Sequence, residues 1–257
     1  MIKTLARRTL LGLIISAFGL LLAVYSSVTY AAAPVPTPTP AVPGNSLGAS
    51  ETPVSPLNTS LRFEKISLED GLSQSVAYTI LQDKLGFLWI GTQDGLNRYD
   101  GHNFTIFRPD PDDPSTINDR WISSLYEDKQ GYLWIGTHFG GLNRYDPESG
   151  TFTHFLNDPD NPKSLASNRV SAILEDSHGD FWIGTNNGLD RFNRENGEFE
   201  HFQNDPDLPT SISNNNITVL YEDSRGVLWV GTSGGGLNRF NALTSTFTSF
   251  RFSSWDA

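Results

Sequence analysis

The chain has 257 residues, no cysteine and a formal net charge of −11. That balance lacks the basic footprint a phosphate backbone needs, so nucleic acid is not an expected partner. The missing thiols exclude a disulfide framework and thiolate-held metals.

At the N-terminus Lys3, Arg7 and Arg8 precede an apolar run from Leu10 to Val24, and Ala31-Ala32-Ala33 follows. A basic start, an apolar middle and small residues read as an export signal over residues 1–33. The run from Thr9 to Val28 also has the roughly 20 residues that cross a bilayer, so a retained signal anchor is the alternative. Either way the remainder is expected outside the cytoplasm, at the periplasmic or extracytoplasmic face, with this segment the only link to the membrane. Without those three basic residues the charge of the exported part falls from −11 to −14. Residues 34–60 carry Pro-Val-Pro-Thr-Pro-Thr-Pro and then Gly, Asn, Ser and Thr, an extended tether with little to bury.

From residue 61 onward one sentence is written four times. Trp89, Trp134, Trp182 and Trp229 each sit in Leu/Phe-Trp-Ile/Val-Gly-Thr, with spacings of 45, 48 and 47 residues. Repetition at that period predicts a four-stranded propeller blade, so residues 61–257 are expected to be an all-β partial propeller. The repeats fall at about 68–107, 117–155, 165–202 and 212–250, with 61–67 read as a spare strand ahead of them. In the second copy, strands are predicted at 122–128, 132–137, 141–145 and 151–156, and Asp128-Lys129-Gln130-Gly131 as a tight turn. Leu133 and Ile135 alternate with Trp134, and Phe152 and Phe155 also point both ways, so each sheet has two apolar faces to cover. The four Trp are therefore assigned to blade-to-blade packing.

The pattern Asp-x-x-Gly-x-Leu/Phe-Trp-Ile-Gly-Thr-x-x-Gly-Leu-Asn-Arg-Tyr-Asp resembles the two-component regulator propeller repeat, and Glu69-Asp70-Gly71-Leu72-Ser73-Gln74 resembles the way that family opens its first blade. The resemblance implies a bacterial extracytoplasmic sensor region with no catalysis of its own. It implies a larger ring, seven-bladed, and C-terminal signalling domains such as a histidine kinase or diguanylate cyclase that this chain does not contain. It also implies an oligosaccharide as ligand. An envelope interaction scaffold and a polysaccharide-acting enzyme are the competing readings.

The connections over 108–121, 156–169 and 203–216 have equal length and share Asp-Pro-Asp, read as turn chemistry and not as a metal site. Their last residues differ between copies and share a rim with the turns that follow the Trp strands. Trp121, Arg169, Asn214, Asn216, His138, Phe139, Asn118 and Asn186 are the candidate ligand-binding residues there. Aromatics, amides and one Arg suit a polyhydroxylated ligand, which needs a flat face and directional hydrogen bonds. Arg98, Arg144, Arg191 and Arg239 recur beside Asp83, Asp128, Asp176 and Asp223, and an ion pair or hydrogen bond within each blade is expected of them. No cofactor, metal or catalytic residue is expected.

Overall fold

The computed structural model describes residues 65–251. The export segment, the tether, residues 61–64 and the 252–257 tail lie outside the described residues. Four antiparallel four-stranded sheets follow one another, each a simple meander. Blade one holds β1 (Thr79–Gln82), β2 (Leu88–Gly91), β3 (Leu96–Tyr99) and β4 (Phe104–Phe107). Blade two holds β5 (Ile122–Glu127), β6 (Leu133–Thr137), β7 (Leu142–Asp146) and β8 (Thr151–Phe155). Blade three holds β9 (Val170–Glu175), β10 (Phe181–Thr185), β11 (Gly188–Asn193) and β12 (Glu198–Phe202). Blade four holds β13 (Ile217–Glu222), β14 (Leu228–Thr232), β15 (Gly236–Asn241) and β16 (Thr246–Phe250). First strands stand side by side, β5 between β1 and β9, and β9 beside β13. Of the spare strand expected over 61–67, residues 65–67 are irregular. They lead into a single 3-10 turn at Leu68–Asp70, where the Ser67 N–H and hydroxyl donate to the Asp70 carboxylate at 2.8 and 2.9 Å.

The turn joining the first two strands of each blade explains the repeated sentence. Asp128 Oδ1 accepts the backbone N–H groups of Gln130 and Tyr132, both at 3.0 Å, while Oδ2 accepts the indole N–H of Trp134 at 2.8 Å. Gly131 takes φ +91° to close this turn, a backbone state other residues rarely adopt. The same indole bond joins Trp89 to Asp83 and Trp182 to Asp176 at 2.8 Å, and Trp229 to Asp223 at 3.1 Å. The Trp229 indole and the backbone N–H groups of Val227 and Arg225 hold the Asp223 carboxyl far below its ordinary value. With its one polar atom satisfied, the indole is free to be buried.

Each blade thus has a leading face, carrying the Trp, and a following face. Trp89 packs against Leu133, Ile135, Tyr145 and Phe152 of blade two. Trp134 packs against Ile173, Phe181, Phe192 and Phe199 of blade three, and is 1% exposed. Trp182 packs against Leu228, Val230, Phe240 and Phe247 of blade four. The expected alternation is therefore observed: Leu133 and Ile135 turn one way and Trp134 the other. A glycine lets the sheets approach at the same level. A Cβ on Gly91 would lie 2.7 Å from Ile122 of the next blade, and one on Gly184 2.7 Å from Ile217.

The expected Arg–Asp pairing within blades is corrected. The carboxylate is engaged by Trp, and the Arg lies over aromatic rings instead: Arg144 is 4.6 Å above Tyr132, and Arg98 is 5.0 Å above Phe87. In blade three Asp180 replaces that aromatic, and Arg191 pairs with it at 3.6 Å and with Glu200.

A second set of repeated polar residues, missed in the sequence, fixes the long connections. Asn97, Asn143, Asp190 and Asn238, all fully buried on the third strands, accept backbone N–H groups of Ser73, Asn118, Ala166 and Ser213. The connections then cover the outer strand of the next blade, with the Ser115, Lys163 and Thr210 carbonyls accepting the N–H groups of Phe152, Phe199 and Phe247 at 2.8–2.9 Å. Sheet edges that would otherwise invite pairing are capped in this way.

Blade three alone uses an acid at this anchor. Asp190 Oδ1 lies 2.7 Å from His201 Nδ1, and His201 Nε2 lies 2.9 Å from the Pro162 carbonyl, which can only accept, so Nε2 carries hydrogen. Burial pushes the Asp190 carboxyl up, and the bond to Asp190 pushes the His201 imidazole up.

Two outcomes are expected. Trp134→Ala should cost about 3–5 kcal/mol of stability, the range for large-to-small core changes, in a denaturant titration. Because both Asp190 and His201 hold protons to higher pH in the folded chain, their contribution is complete at low pH. It is lost as the pH rises through the folded-state pKa of His201, above its ordinary 6.5. Asp190→Asn, which installs the residue used by the other blades, should flatten that decline in a pH series of unfolding midpoints. An unchanged slope would assign the pH dependence elsewhere.

Candidate functional site

The rim follows from the same anchors. Once Asn143 has fixed Asn118, residues 119–121 turn over the mouth of blade two and meet the turn after β6. The Trp121 carbonyl accepts the His138 N–H at 3.0 Å, as the Arg169 carbonyl accepts Asn186 at 3.2 Å and the Asn216 carbonyl accepts Ser233 at 2.8 Å. Asp119 Oδ2 accepts the N–H groups of Phe139 at 2.7 Å and Gly140 at 3.2 Å, and its Oδ1 accepts that of Trp121 at 3.2 Å. One carboxylate therefore ties the connection to the turn.

These bonds assemble an aromatic cluster. The Trp121 and His138 rings stack with centroids 4.0 Å apart and planes 10° from parallel. Phe139 stands edge-on to both, at 6.2 Å from Trp121 and 4.5 Å from His138, and is 68% exposed. Tyr78 of blade one, absent from the expected site, lies 6.0 Å from Trp121, and its hydroxyl bonds to Gln93. It stands immediately before β1, where the next two blades carry Ser123 and Ser171, and no local signal marks its contact with the next blade. Burial, then the charge of Arg169, lowers the His138 pKa, so the imidazole in the stack is neutral at physiological pH. Arg169 is itself exposed and forms no ion pair among the described residues.

Trp121, His138, Phe139 and Arg169 thus form one neighbourhood across blades two and three. Asn186 is exposed beside Arg169 through its backbone bond. Asn118 turns inward: its Oδ1 is buried without a hydrogen-bond partner, close to where a Cβ of Gly140 would stand. Asn214 and Asn216 belong to blade four, where Asn214 Oδ1 accepts the Asn216 N–H at 2.8 Å. The Asp-Pro-Asp segments are occupied as turns, with Asp110, Asp158 and Asp205 each accepting the N–H two residues on at 3.0 Å.

Residues 71–94, 116–139, 164–187 and 211–234 match the two component regulator propeller family. A histidine kinase from Formosa agariphila is 49% identical over 61 residues, covering 24% of this chain and 4% of the kinase. The extracellular domain assigned to a hybrid two component system of B. thetaiotaomicron, BT3049, superposes with a TM-score of 0.56 at 28% identity, over 74% of this chain and 32% of that one. A second B. thetaiotaomicron extracellular domain, assigned to a one component system, gives 0.57 at 27% identity over 68% and 25% of the two chains. Virginiamycin B lyase from Staphylococcus aureus, at 16% identity and a TM-score of 0.55, shares the fold alone. The chain spans a third or less of the sensor proteins it matches. Four indole-bonded blades, each with a matching repeat, make this chain a member of the two component regulator propeller family.

Proposed function

We propose that this chain is the ligand-sensing part of an extracytoplasmic signalling protein and that its rim binds an oligosaccharide without transforming it. The observation that carries the reading is the Trp121–His138–Phe139 cluster, built where the repeats diverge and bordered by Arg169 and Asn186. Repeated residues answer to blade geometry, whereas a ligand lying across several blades meets a different residue on each. An exposed aromatic ring such as Phe139 accepts the apolar face of a sugar, and Arg169 offers a planar set of donors to hydroxyls or a uronate carboxylate. The likeness to extracellular domains of sensor systems supports the location and the sensing role.

Recognition is favoured over catalysis by the state of the histidines. His154 bonds to the Thr116 carbonyl at 2.8 Å, His201 is held between Asp190 and Pro162, and His138 is stacked on Trp121. None of these three is paired with a nucleophile.

Trp121→Ala should leave the β-sheet circular dichroism spectrum intact. It should weaken oligosaccharide binding by about 1–3 kcal/mol, the size of one lost aromatic stacking platform. The measurement is a glycan-array screen of the full chain followed by calorimetry on the best ligand. Equal affinity in the variant would sink the rim assignment. Capture of an envelope protein, with no glycan bound, would put the scaffold reading in its place.

A further inference from the structure

The residue paired with the buried anchor of each third strand decides what lies between the outer strand and the connection that covers it. In blade two His154 stands opposite Asn143, and in blade three His201 stands opposite Asp190. Each imidazole reaches the connection: His154 Nε2 lies 2.8 Å from the Thr116 carbonyl, and His201 Nε2 lies 2.9 Å from that of Pro162. Both carbonyls can only accept, so each ring presents an N–H there. Blade one carries Ile106 at the same position, opposite Asn97.

In blade four the residue opposite Asn238 is Ser249, and its hydroxyl turns back to donate to Asn238 Oδ1 at 2.9 Å. A cavity of about 350 Å³ lies there, between the connection over 203–216 and β16. Ligand sites run from about 300 to 1,000 Å³, so it has room for one small molecule. Pro209 and Ser211 line it, and they align with Pro162 and Thr116, whose carbonyls the two imidazoles reach. Among the described residues neither the Pro209 nor the Ser211 carbonyl accepts a hydrogen bond. The wall differs as well. Leu208, 51% exposed, lines the cavity where Asp113 and Asn161 of the other connections accept the N–H two residues on. Arg251 also lines it, and its guanidinium donates to the Ser213 carbonyl at 3.3 Å, which holds a positive charge beside the cavity. Asp205, the acid of the lining, has its Oδ1 engaged by the Asp207 N–H.

We propose that this cavity is a second small-molecule site, on blade four and apart from the Trp121 cluster, for a flat nitrogen heterocycle of the imidazole type bearing an acidic substituent. The ring takes the place that His154 and His201 fill in blades two and three. Leu208 and Pro209 offer it an apolar wall, and the carbonyls of Pro209 and Ser211 accept its N–H, which is why the ligand must bring a donor. Arg251 meets the acidic group as a charge-assisted hydrogen bond. Blades two and three thus supply from their own chain the ring that blade four takes from solution.

The probe is 4-imidazoleacetate, titrated by calorimetry into the full chain in non-ionic detergent at fixed pH. Saturable one-to-one binding is expected, with unsubstituted imidazole roughly tenfold weaker for want of the acidic group. Arg251→Gln should bring 4-imidazoleacetate down to the affinity of imidazole. Ser249→His and Ser249→Ile install the residues that blades two, three and one carry at this position. Both should keep the β-sheet circular dichroism spectrum and abolish binding of either probe, and the isoleucine variant does so without adding a second imidazole. Absence of saturable binding to the unsubstituted chain would overturn the proposal. Binding that survives in the folded Ser249→His or Ser249→Ile chain would overturn it as well, by placing the probe elsewhere.

Discussion

Everything in this molecule hangs on the bond between a turn carboxylate and an indole N–H. A tryptophan buried between two sheets would strand its N–H at a cost of a few kcal/mol, and an aspartate at a turn would otherwise simply face water. Placing the Asp six residues before the Trp lets one carboxylate close the turn and satisfy the indole together. The sheet can then present an uninterrupted apolar face to its neighbour. The Arg on the adjacent strand completes this by lying over aromatic rings, where its charge is stabilised without competing for the Asp.

A frame built this way separates constant from variable positions. The buried Asn or Asp on the third strand pins each long connection shortly before its end, at Asn118, Ala166 and Ser213, and the carbonyl of its last residue pins the next turn. Between those fixed points the side chains are free to differ. Trp121, His138 and Arg169 sit at such positions, which is why an asymmetric surface can rise from a symmetric scaffold. The third blade breaks the pattern in its interior as well, with Asp190, bonded to His201, where its neighbours use Asn143 and Asn238. Arg194, in the same blade, reaches Glu175 at 2.9 Å and Asp128 of blade two at 3.8 Å, an extra tie between blades.

The long connections serve two ends of the fold. Ile117, Leu165 and Ile212 are fully buried beneath them, so each connection is anchored by an apolar peg as well as by the Asn or Asp. Their carbonyls meanwhile close the outer edges of the sheets. Rim residues thus stand on well-supported backbone, and a ligand there meets groups already held in place.

The sequence by itself determined the blades: a 45–48-residue period, alternation of Leu133, Trp134 and Ile135, and a turn Gly after each Asp are local signals tied to backbone geometry. It also placed Trp121, His138 and Phe139 on one rim, because strand alternation fixes which loops share an end. Partner choice was decided only in three dimensions. Charge alone would pair Arg144 with Asp128, yet the Trp134 indole takes the carboxylate and Arg144 lies over Tyr132. Asn97 and its equivalents looked like ordinary strand residues, since nothing local marks a side chain that reaches 24 or 25 residues away. Tyr78 joined the rim for the same reason: its neighbour Trp121 belongs to the next blade, and contact between blades is set by how the sheets stack.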